Sequence, residues 1–140
     1  MATLNPYLGF KDNAREALEF YHSALGGELS IMAFGDMGEA MPAPPGEENL
    51  VMHGQLTLED GLVLMAADTP SGMEHVPATS GVTVAMTGGP EDLDRLRSAF
   101  EALSQGGTPG MPLEKAPWGD YFGQFTDRFG ISWMFDIGTE

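Results

Sequence analysis

The sequence predicts an α+β fold in which one βαβββ module occurs twice. The hydrophobic patterns run strand, helix and three strands, and the same order recurs in the second half of the chain. Both helix patterns end at a Gly-Gly pair, at 26–27 and at 106–107. Each final strand also begins with glycine and reaches methionine four residues later, at 61–65 and at 130–134. This internal duplication is the most informative feature of the chain.

The first module opens with a predicted strand at 4–11, where apolar residues alternate along one face. Asp12 or Asn13 is the expected N-cap of a helix at 14–25, whose apolar stripe repeats at helical spacing. A short strand follows at 28–35. One helix is thus available to cover one face of the sheet, which leaves the opposite face for a partner module or a ligand.

A hairpin at 49–68 completes the first module, after a proline- and glycine-rich loop at 38–48. The turn is expected at Glu59-Asp60-Gly61, because Asp-Gly between apolar runs is a strong hairpin signal.

The first strand of this hairpin alternates apolar residues with His53, Gln55 and Thr57. Side chains alternate across a strand, so these three share a polar face that is either wetted surface or the wall of a cavity.

Residues 69–80 form the expected linker, and the second module then repeats the order of the first. We expect one domain of two modules, at about 1–68 and 81–140. The elements of the second module are predicted as a strand at 82–87, a helix that opens at 89–92, a strand at 111–116, and hairpin strands at 121–126 and 131–137.

The composition is strongly acidic. Lys and Arg together number 6, Asp and Glu number 21, and the formal net charge is −15. Binding to nucleic acids or anionic membranes relies on Lys and Arg contacts, so we expect neither partner. We interpret the acidity as a solvated surface. An acidic site for a cationic substrate is the alternative interpretation.

The sequence predicts a cytoplasmic protein. It contains no cysteine, which excludes disulfides and thiolate metal sites. Its first residues show no basic segment followed by an apolar run, so no signal peptide is expected. No apolar stretch approaches the roughly 20 residues that a membrane helix needs.

Three stretches resemble the PhnB-like branch of the vicinal oxygen chelate superfamily, which includes glyoxalases, extradiol dioxygenases and bleomycin-resistance proteins. They are Tyr-Leu-Gly-Phe-Lys-Asp-Asn-Ala-Arg-Glu-Ala-Leu-Glu-Phe-Tyr at 7–21, Phe-Gly-Asp-Met at 34–37, and Trp-Gly-Asp-Tyr-Phe-Gly-Gln-Phe-Thr-Asp-Arg-Phe-Gly-Ile-Ser-Trp at 118–133. The resemblance implies curved mixed sheets around a concave cavity. The branch is often labelled by analogy with demethylubiquinone methyltransferases. No glycine-rich cofactor loop follows the first strand, so we do not predict that activity.

The resemblance also identifies where a metal would be held. Metal-using members take four ligands, usually His and Glu, from the first and fourth strands of each module. The matching positions here are Asn5, Met65, about Gly81, and Met134. Neither glycine nor a thioether suits a hard divalent metal. We therefore expect no metal at this site and no other cofactor.

Strand alternation, combined with the resemblance, predicts the side chains that converge on a ligand cavity. These are Tyr7, His53, Gln55, Met65, Thr83, Trp118, Tyr121, Gln124 and Met134. Aromatic rings, thioethers and a few amides suit a small, partly apolar ligand. The alternative is that the same side chains fill the interior or are covered by a second chain.

Two functions follow from these residues. The first is a metal-independent small-molecule-binding protein that sequesters a ligand, for example an antibiotic. The alternative is an enzyme of lyase, isomerase or dioxygenase type, with a non-standard metal site or acid–base chemistry around His53, because an imidazole exchanges protons near neutral pH. Which of the two applies is open at this stage. We also expect a homodimer, since open sheets leave edges that a second chain commonly covers.

Overall fold

The computed structural model describes residues 2–40, 42–59, 61–77 and 81–140. Within these ranges, none of the helices combines the length and the apolar character that crossing a lipid bilayer requires. Three predicted features fall partly outside the described residues. They are the hairpin turn at Asp60, the loop at Met41 and the linker at 78–80.

The chain divides into two compact units, Met1–Ala78 and Thr79–Glu140. Each contains one α-helix and one four-stranded mixed sheet, in the element order βαβββ. The predicted fold class, α+β with the module repeated, is therefore confirmed.

In unit 1 the sheet order is β1-β4-β3-β2, with β1 parallel to β4 and the other pairs antiparallel. A short 3-10 segment, Phe34–Ala40, follows the second strand. The elements are β1 at Tyr7–Phe10, α1 at Ala14–Leu25, β2 at Glu28–Ala33, β3 at Val51–Thr57 and β4 at Val63–Asp68.

Unit 2 has the equivalent sheet order, β5-β8-β7-β6, again with one parallel pair, β5 with β8. A 3-10 turn at Pro90–Asp92 leads into its helix. The elements are β5 at Thr83–Gly88, α2 at Leu93–Ser104, β6 at Thr108–Lys115, β7 at Tyr121–Thr126 and β8 at Ser132–Ile137.

Each helix covers one face of its own sheet. Leu18 and Tyr21 of α1 are fully buried, and burial of such side chains stabilises the fold by about 1.5–3 kcal/mol each. The third strand of each unit carries a glycine below the helix. A Cβ on Gly54 would collide with Leu18, and one on Gly123 would lie 2.8 Å from the ring of Phe100. These glycines let helix and sheet approach closely.

The two Gly-Gly pairs end the helices for the same structural reason. The second glycine of each pair packs against the last carbonyl of the third strand: Gly27 against Thr57 and Gly107 against Thr126. A side chain would not fit at either position. The repeated glycines therefore reflect a repeated contact between the start of the second strand and the end of the third.

The start of α1 is capped by a residue distant in sequence. Asn13 occupies the N-cap position but makes no side-chain cap hydrogen bond. Instead, Asp68 at the end of β4 accepts hydrogen bonds from the backbone N–H of Ala14 at 2.9 Å and of Val51 at 2.9 Å. Asn13 is therefore the N-cap by position, as one of the two predicted candidates, but the first helical donor is satisfied by the buried carboxylate of Asp68 rather than by a local side chain.

Asp127 fixes the turn between β7 and β8. Its Oδ1 accepts from the backbone N–H groups of Phe129 and Ile131, at 2.8 and 3.0 Å, and its Oδ2 accepts from Trp133 Nε1 at 2.9 Å. Asp127 is only 3% exposed. One buried carboxylate therefore joins the turn to the largest side chain of the unit 2 core.

Some strand limits differ from the predicted ones. β1 begins at Tyr7 rather than at residue 4, and Leu4 is fully exposed. Pro6 has no N–H to donate to a ladder, although its carbonyl accepts from Met65. β2 ends at Ala33, whose N–H is taken by the Asp36 carboxylate at 2.8 Å. The strands are therefore shorter than the apolar pattern alone predicts, because local backbone and side-chain groups end their pairing.

Candidate functional site

We call the sheet face opposite each helix the open face of that unit. In unit 1 it carries a cross-strand row with three of the predicted site residues. Tyr7 of β1 is the register partner of Met65 on β4, and Met65 is the partner of Gln55 on β3. The row ends at Ser30 on β2. Tyr7 is 54% exposed and the other two are partly buried, so a phenol, a thioether and an amide lie side by side.

His53 lies beside this row and contacts Tyr7. The Tyr7 Oη and His53 Nδ1 atoms are 3.3 Å apart, and the two ring centroids are 5.7 Å apart. Gln55 in turn donates from Nε2 to the Thr57 hydroxyl at 3.3 Å. The β3 side chains predicted to share a polar face thus make two separate contacts, His53 with Tyr7 and Gln55 with Thr57.

The open face of unit 2 carries an equivalent row. Ala85 of β5 is the partner of Met134 on β8, which is the partner of Gln124 on β7. Met111 of the edge strand β6 continues it. The methionine–glutamine pair therefore occurs at corresponding places in both units, as 65 with 55 and as 134 with 124. One row further along β8, the hydroxyls of Thr83 and Ser132 are 3.1 Å apart.

Trp118 lies in a tight turn between β6 and β7, closed by a hydrogen bond from the Ala116 N–H to the Asp120 carbonyl at 2.7 Å. Its ring packs edge to face on Phe122, with centroids 5.6 Å apart, and 62% of the residue is exposed. Phe122 belongs to the open face, since it alternates with the helix-facing Gly123. Trp118 thus extends the open face of unit 2 with an exposed aromatic surface.

Two carboxyl groups that sequence reasoning missed lie in this region. Asp136 of β8 is the register partner of Phe122, and its side chain interacts with that of Asp120. Burial, the hydrogen bond with Asp120 and the negative charge of Asp120 together raise the pKa of Asp136. Its Oδ1 is buried and has no hydrogen-bond partner in the described structure. Strand alternation from Met134 was the signal that could have identified Asp136.

Tyr121 lies on the other side of the sheet. It pairs in register with the buried Ile137, and the Arg97 guanidinium of α2 lies over its ring at 5.3 Å. The expectation that Tyr121 lines the same surface as Gln124 is therefore wrong. The two residues are three positions apart on one strand, and an odd spacing sends side chains to opposite faces.

The positions that match the metal ligands of the vicinal oxygen chelate superfamily carry unsuitable groups here. Asn5 lies before β1 and donates to the Thr3 hydroxyl at 2.9 Å. Met65 and Met134 offer thioethers, and Gly81 has no side chain. Among the described residues, no group of three or more His, Asp or Glu side chains is placed to hold a metal ion. This donor set does not fit a hard divalent cation.

Two surface grooves lie beside the helices. One, of about 420 Å³, runs from Asp12 and Arg15 at the start of α1 to Asn49. The other, of about 380 Å³, lies between Phe100 of α2 and the edge strand β6 and reaches Gln124. Of the predicted site residues, only Gln124 lines either of these two grooves.

A family model described as 3-demethylubiquinone-9 3-methyltransferase matches residues 2–135. The Escherichia coli K12 protein YjdN is 27% identical over 143 residues, which cover 96% of this chain and 94% of that protein. The crystal structure of protein PA1353 from Pseudomonas aeruginosa is 34% identical, with a TM-score of 0.82 and full coverage of both chains. The PhnB protein from Bacillus cereus is 26% identical, with a TM-score of 0.71, and covers 98% of this chain and 100% of its own.

A more distant structure shares the fold alone. The bleomycin-binding protein solved in complex with bleomycin is 19% identical, with a TM-score of 0.57 and full coverage of both chains. The family match extends over nearly the whole chain, and the repeated βαβββ order agrees with it. The chain therefore belongs to the family described as 3-demethylubiquinone-9 3-methyltransferase, and it shares its fold with a glyoxalase/bleomycin-resistance/dioxygenase domain and with the bleomycin-binding protein.

Proposed function

We propose that the protein binds a small, partly aromatic molecule on its open sheet faces without using a metal. The observation that carries this proposal is the set of exposed apolar groups on faces that no helix of their own unit covers. Tyr7, Met111 and Trp118 are 54%, 50% and 62% exposed. Exposed apolar surface next to a few polar groups is typical of a binding site.

The repeated methionine–glutamine pair supplies the two properties that such a site needs. Met65 and Met134 have flexible, polarisable side chains that adapt to the outline of an aromatic ligand. Gln55 and Gln124 each offer an amide that both donates and accepts hydrogen bonds, so they would fix the orientation of a ligand. The fold is also that of a protein solved with bleomycin bound. That likeness supports small-molecule binding by analogy of fold only.

The first test is to identify small molecules that co-purify with the protein by mass spectrometry. The affinity for such a molecule is then measured for wild type and for Trp118→Ala, with Met73→Ala as control, because Met73 is similarly exposed but lies in the segment after β4. We expect Trp118→Ala to weaken binding about tenfold or more through lost aromatic contact, and treatment with a chelator to have no effect. Equal affinities of the two variants would contradict the proposal.

A second candidate function is acid–base catalysis, and the Tyr7–His53 contact favours it. Tyr7 Oη donating to His53 Nδ1 would leave the proton of the neutral ring on Nε2, so the pair could pass a proton to or from a bound molecule. Tyr7→Phe keeps the ring and removes the hydroxyl. If the protein is an enzyme of this kind, Tyr7→Phe and His53→Gln lower turnover of a bound substrate with little change in its affinity.

We also propose that the protein is a homodimer. The edge strand β2 carries an exposed methionine, Met32, which is 44% exposed. Apolar side chains on an open sheet edge are commonly covered by a second chain. Sedimentation velocity at micromolar concentration should give twice the chain mass of 15.0 kDa, and a monomer at that concentration would rule the proposal out.

A further inference from the structure

The open face of unit 1 places two thioether side chains next to its histidine. Met32 of β2 is the register partner of His53 on β3, and directly opposed residues have Cβ atoms about 4.5–5.5 Å apart. Met65 of β4 is the partner of Gln55, two positions along β3 from His53. Met65 is therefore a diagonal neighbour of His53, at roughly 7–8 Å, which long side chains can span. We call Met32, His53 and Met65 the sulfur–imidazole cluster.

These three side chains face away from the helix of their unit. Gly54, between His53 and Gln55, lies under α1, where a Cβ would collide with Leu18, so its neighbours on β3 project from the opposite face. Met32 is 44% exposed, and His53 and Met65 are partly buried. A small ion can therefore reach the sulfur–imidazole cluster without disturbing the core.

Tyr7 orients the imidazole of this cluster. Its Oη atom is 3.3 Å from His53 Nδ1, and the two ring centroids are 5.7 Å apart. When Nδ1–H donates to the phenol oxygen, Nε2 carries the lone pair that a metal ion requires. Histidines that bind metals almost always donate their other ring N–H to an oxygen in this way. Tyr7 is therefore a positioning residue for a ligand nitrogen at Nε2.

The chemistry of the side chains decides which ion fits. Thioether sulfur selects soft ions such as Cu(I), whereas hard cations prefer carboxylate and carbonyl oxygens. The chain has 10 methionines and no cysteine, so thioethers are its only sulfur ligands. The cross-strand partners of Met65 are Tyr7 and Gln55, and neither is a carboxylate. The cluster thus favours a soft ion of low charge over a hard divalent one.

We propose that the sulfur–imidazole cluster binds Cu(I) through His53 Nε2 and the sulfur atoms of Met32 and Met65. The cluster shares only Met65 with the positions that match the superfamily's metal ligands, and it selects a different class of ion. This inference goes beyond the proposed function, which needs no metal and is tested through Trp118 of unit 2.

The first test uses Ag(I), which is soft and monovalent like Cu(I) but stable in air. It is titrated in nitrate buffer into the full-length protein carrying methyl-labelled methionine, and Mg(II) is titrated separately. Met32→Leu and Met65→Leu assign the two methyl signals. We expect Ag(I) to shift both signals up to one ion per chain, and Mg(II) to shift neither. No shift by Ag(I), or equal shifts by Mg(II), would overturn the inference.

Variants then locate the ion. Cu(I) affinity is measured without oxygen by competition with a colorimetric chelator. Met32→Leu and His53→Gln should each weaken binding about tenfold or more. The control is Met73→Leu, because Met73 is 66% exposed and close to a histidine in sequence but lies outside the sheet. It should change the affinity less than about twofold, and equal effects of Met32→Leu and Met73→Leu would refute the assignment.

The role of Tyr7 has a separate readout. Tyr7→Phe should weaken Cu(I) binding about tenfold and should also move the ring-nitrogen NMR signals of His53, which a purely structural role of the hydroxyl would leave in place. Thermal melting confirms that all variants are folded. A Tyr7→Phe protein with wild-type affinity and unchanged His53 signals would contradict the positioning role.

Discussion

Replacement of Asp127 by Asn should destabilise the protein strongly, although the two side chains have nearly the same shape. The carboxylate accepts three hydrogen bonds, from the backbone of Phe129 and Ile131 and from Trp133 Nε1. An Asn side chain has one oxygen. Whichever way it turns, its NH₂ group faces at least one buried N–H donor, so donor meets donor.

The size of the effect follows from these contacts. A hydrogen bond to a charged group contributes about 1.5–3 kcal/mol, and leaving a buried donor unpaired costs about 1–3 kcal/mol. If Trp133 loses its acceptor and the two backbone bonds become neutral, the free energy of unfolding should fall by about 3 kcal/mol. At roughly 2–4 °C per kcal/mol for a chain of this length, the melting temperature should drop by roughly 10 °C.

Urea unfolding measured by tryptophan fluorescence tests this, with Glu101→Gln as the control. The control should lie within about 0.5 kcal/mol of wild type, as is usual for an exposed surface change. If Asp127→Asn also lies within that range, the turn does not depend on the carboxylate and the reasoning fails.

Three further predictions concern stability. Asp136→Asn should raise the melting temperature at neutral pH, because the pKa of Asp136 is raised on folding and its negative charge therefore destabilises the folded state. The difference in melting temperature between variant and wild type should shrink as the pH falls through the raised pKa. It should disappear below the ordinary value of 3.8. Glu47→Gln should lower the melting temperature at neutral pH, because the hydrogen bond from the Ser71 hydroxyl stabilises the Glu47 carboxylate and lowers its pKa. The difference from wild type should be lost as the pH falls below 4.5 and through the lowered pKa. Melting curves from pH 3 to 8 check both signs. Gly123→Ala should cost about 1–3 kcal/mol by overpacking, because its Cβ would lie 2.9 Å from the Leu113 Cα, a backbone atom that cannot rotate away.

The order of elements could be predicted from sequence because it is encoded locally. The limits of α1 and β7 are those expected, at 14–25 and 121–126. The side chain that accepts from the first N–H of α1 could not be predicted, since Asp68 is 54 positions from Ala14. The irregular pairing of β2 with β3 near Val51 could not be predicted either, because a β-bulge shifts the alternation of side chains without a sequence signal of its own.

The residues of the candidate site could also be predicted only in part. Alternation combined with the family resemblance places Tyr7, Gln55 and Met65 on one face, and they are neighbours in one row. Asp120 and Asp136 were missed because their proximity arises from a turn and a strand 16 positions apart. Tyr121 was misplaced because nearness to Trp118 in sequence was given more weight than the parity of β7. The role of each residue in binding stays a prediction.

The third strands of the two units show which residues are required by packing against the helix and which are not. They carry His-Gly-Gln at 53–55 and Phe-Gly-Gln at 122–124. The glycine is required by packing, since Leu18 or Phe100 occupies the space of a side chain. The helices do not constrain the residues on either side, which alternate with the glycine and face away from them. Gln follows the glycine in both units, but the residue before the glycine differs. It is His53, whose imidazole contacts Tyr7, in unit 1. It is Phe122, the register partner of Glu114 and Asp136, in unit 2. The difference follows the neighbours of each side chain on the open face, since His53 contacts Tyr7 whereas Phe122 packs against the Trp118 ring.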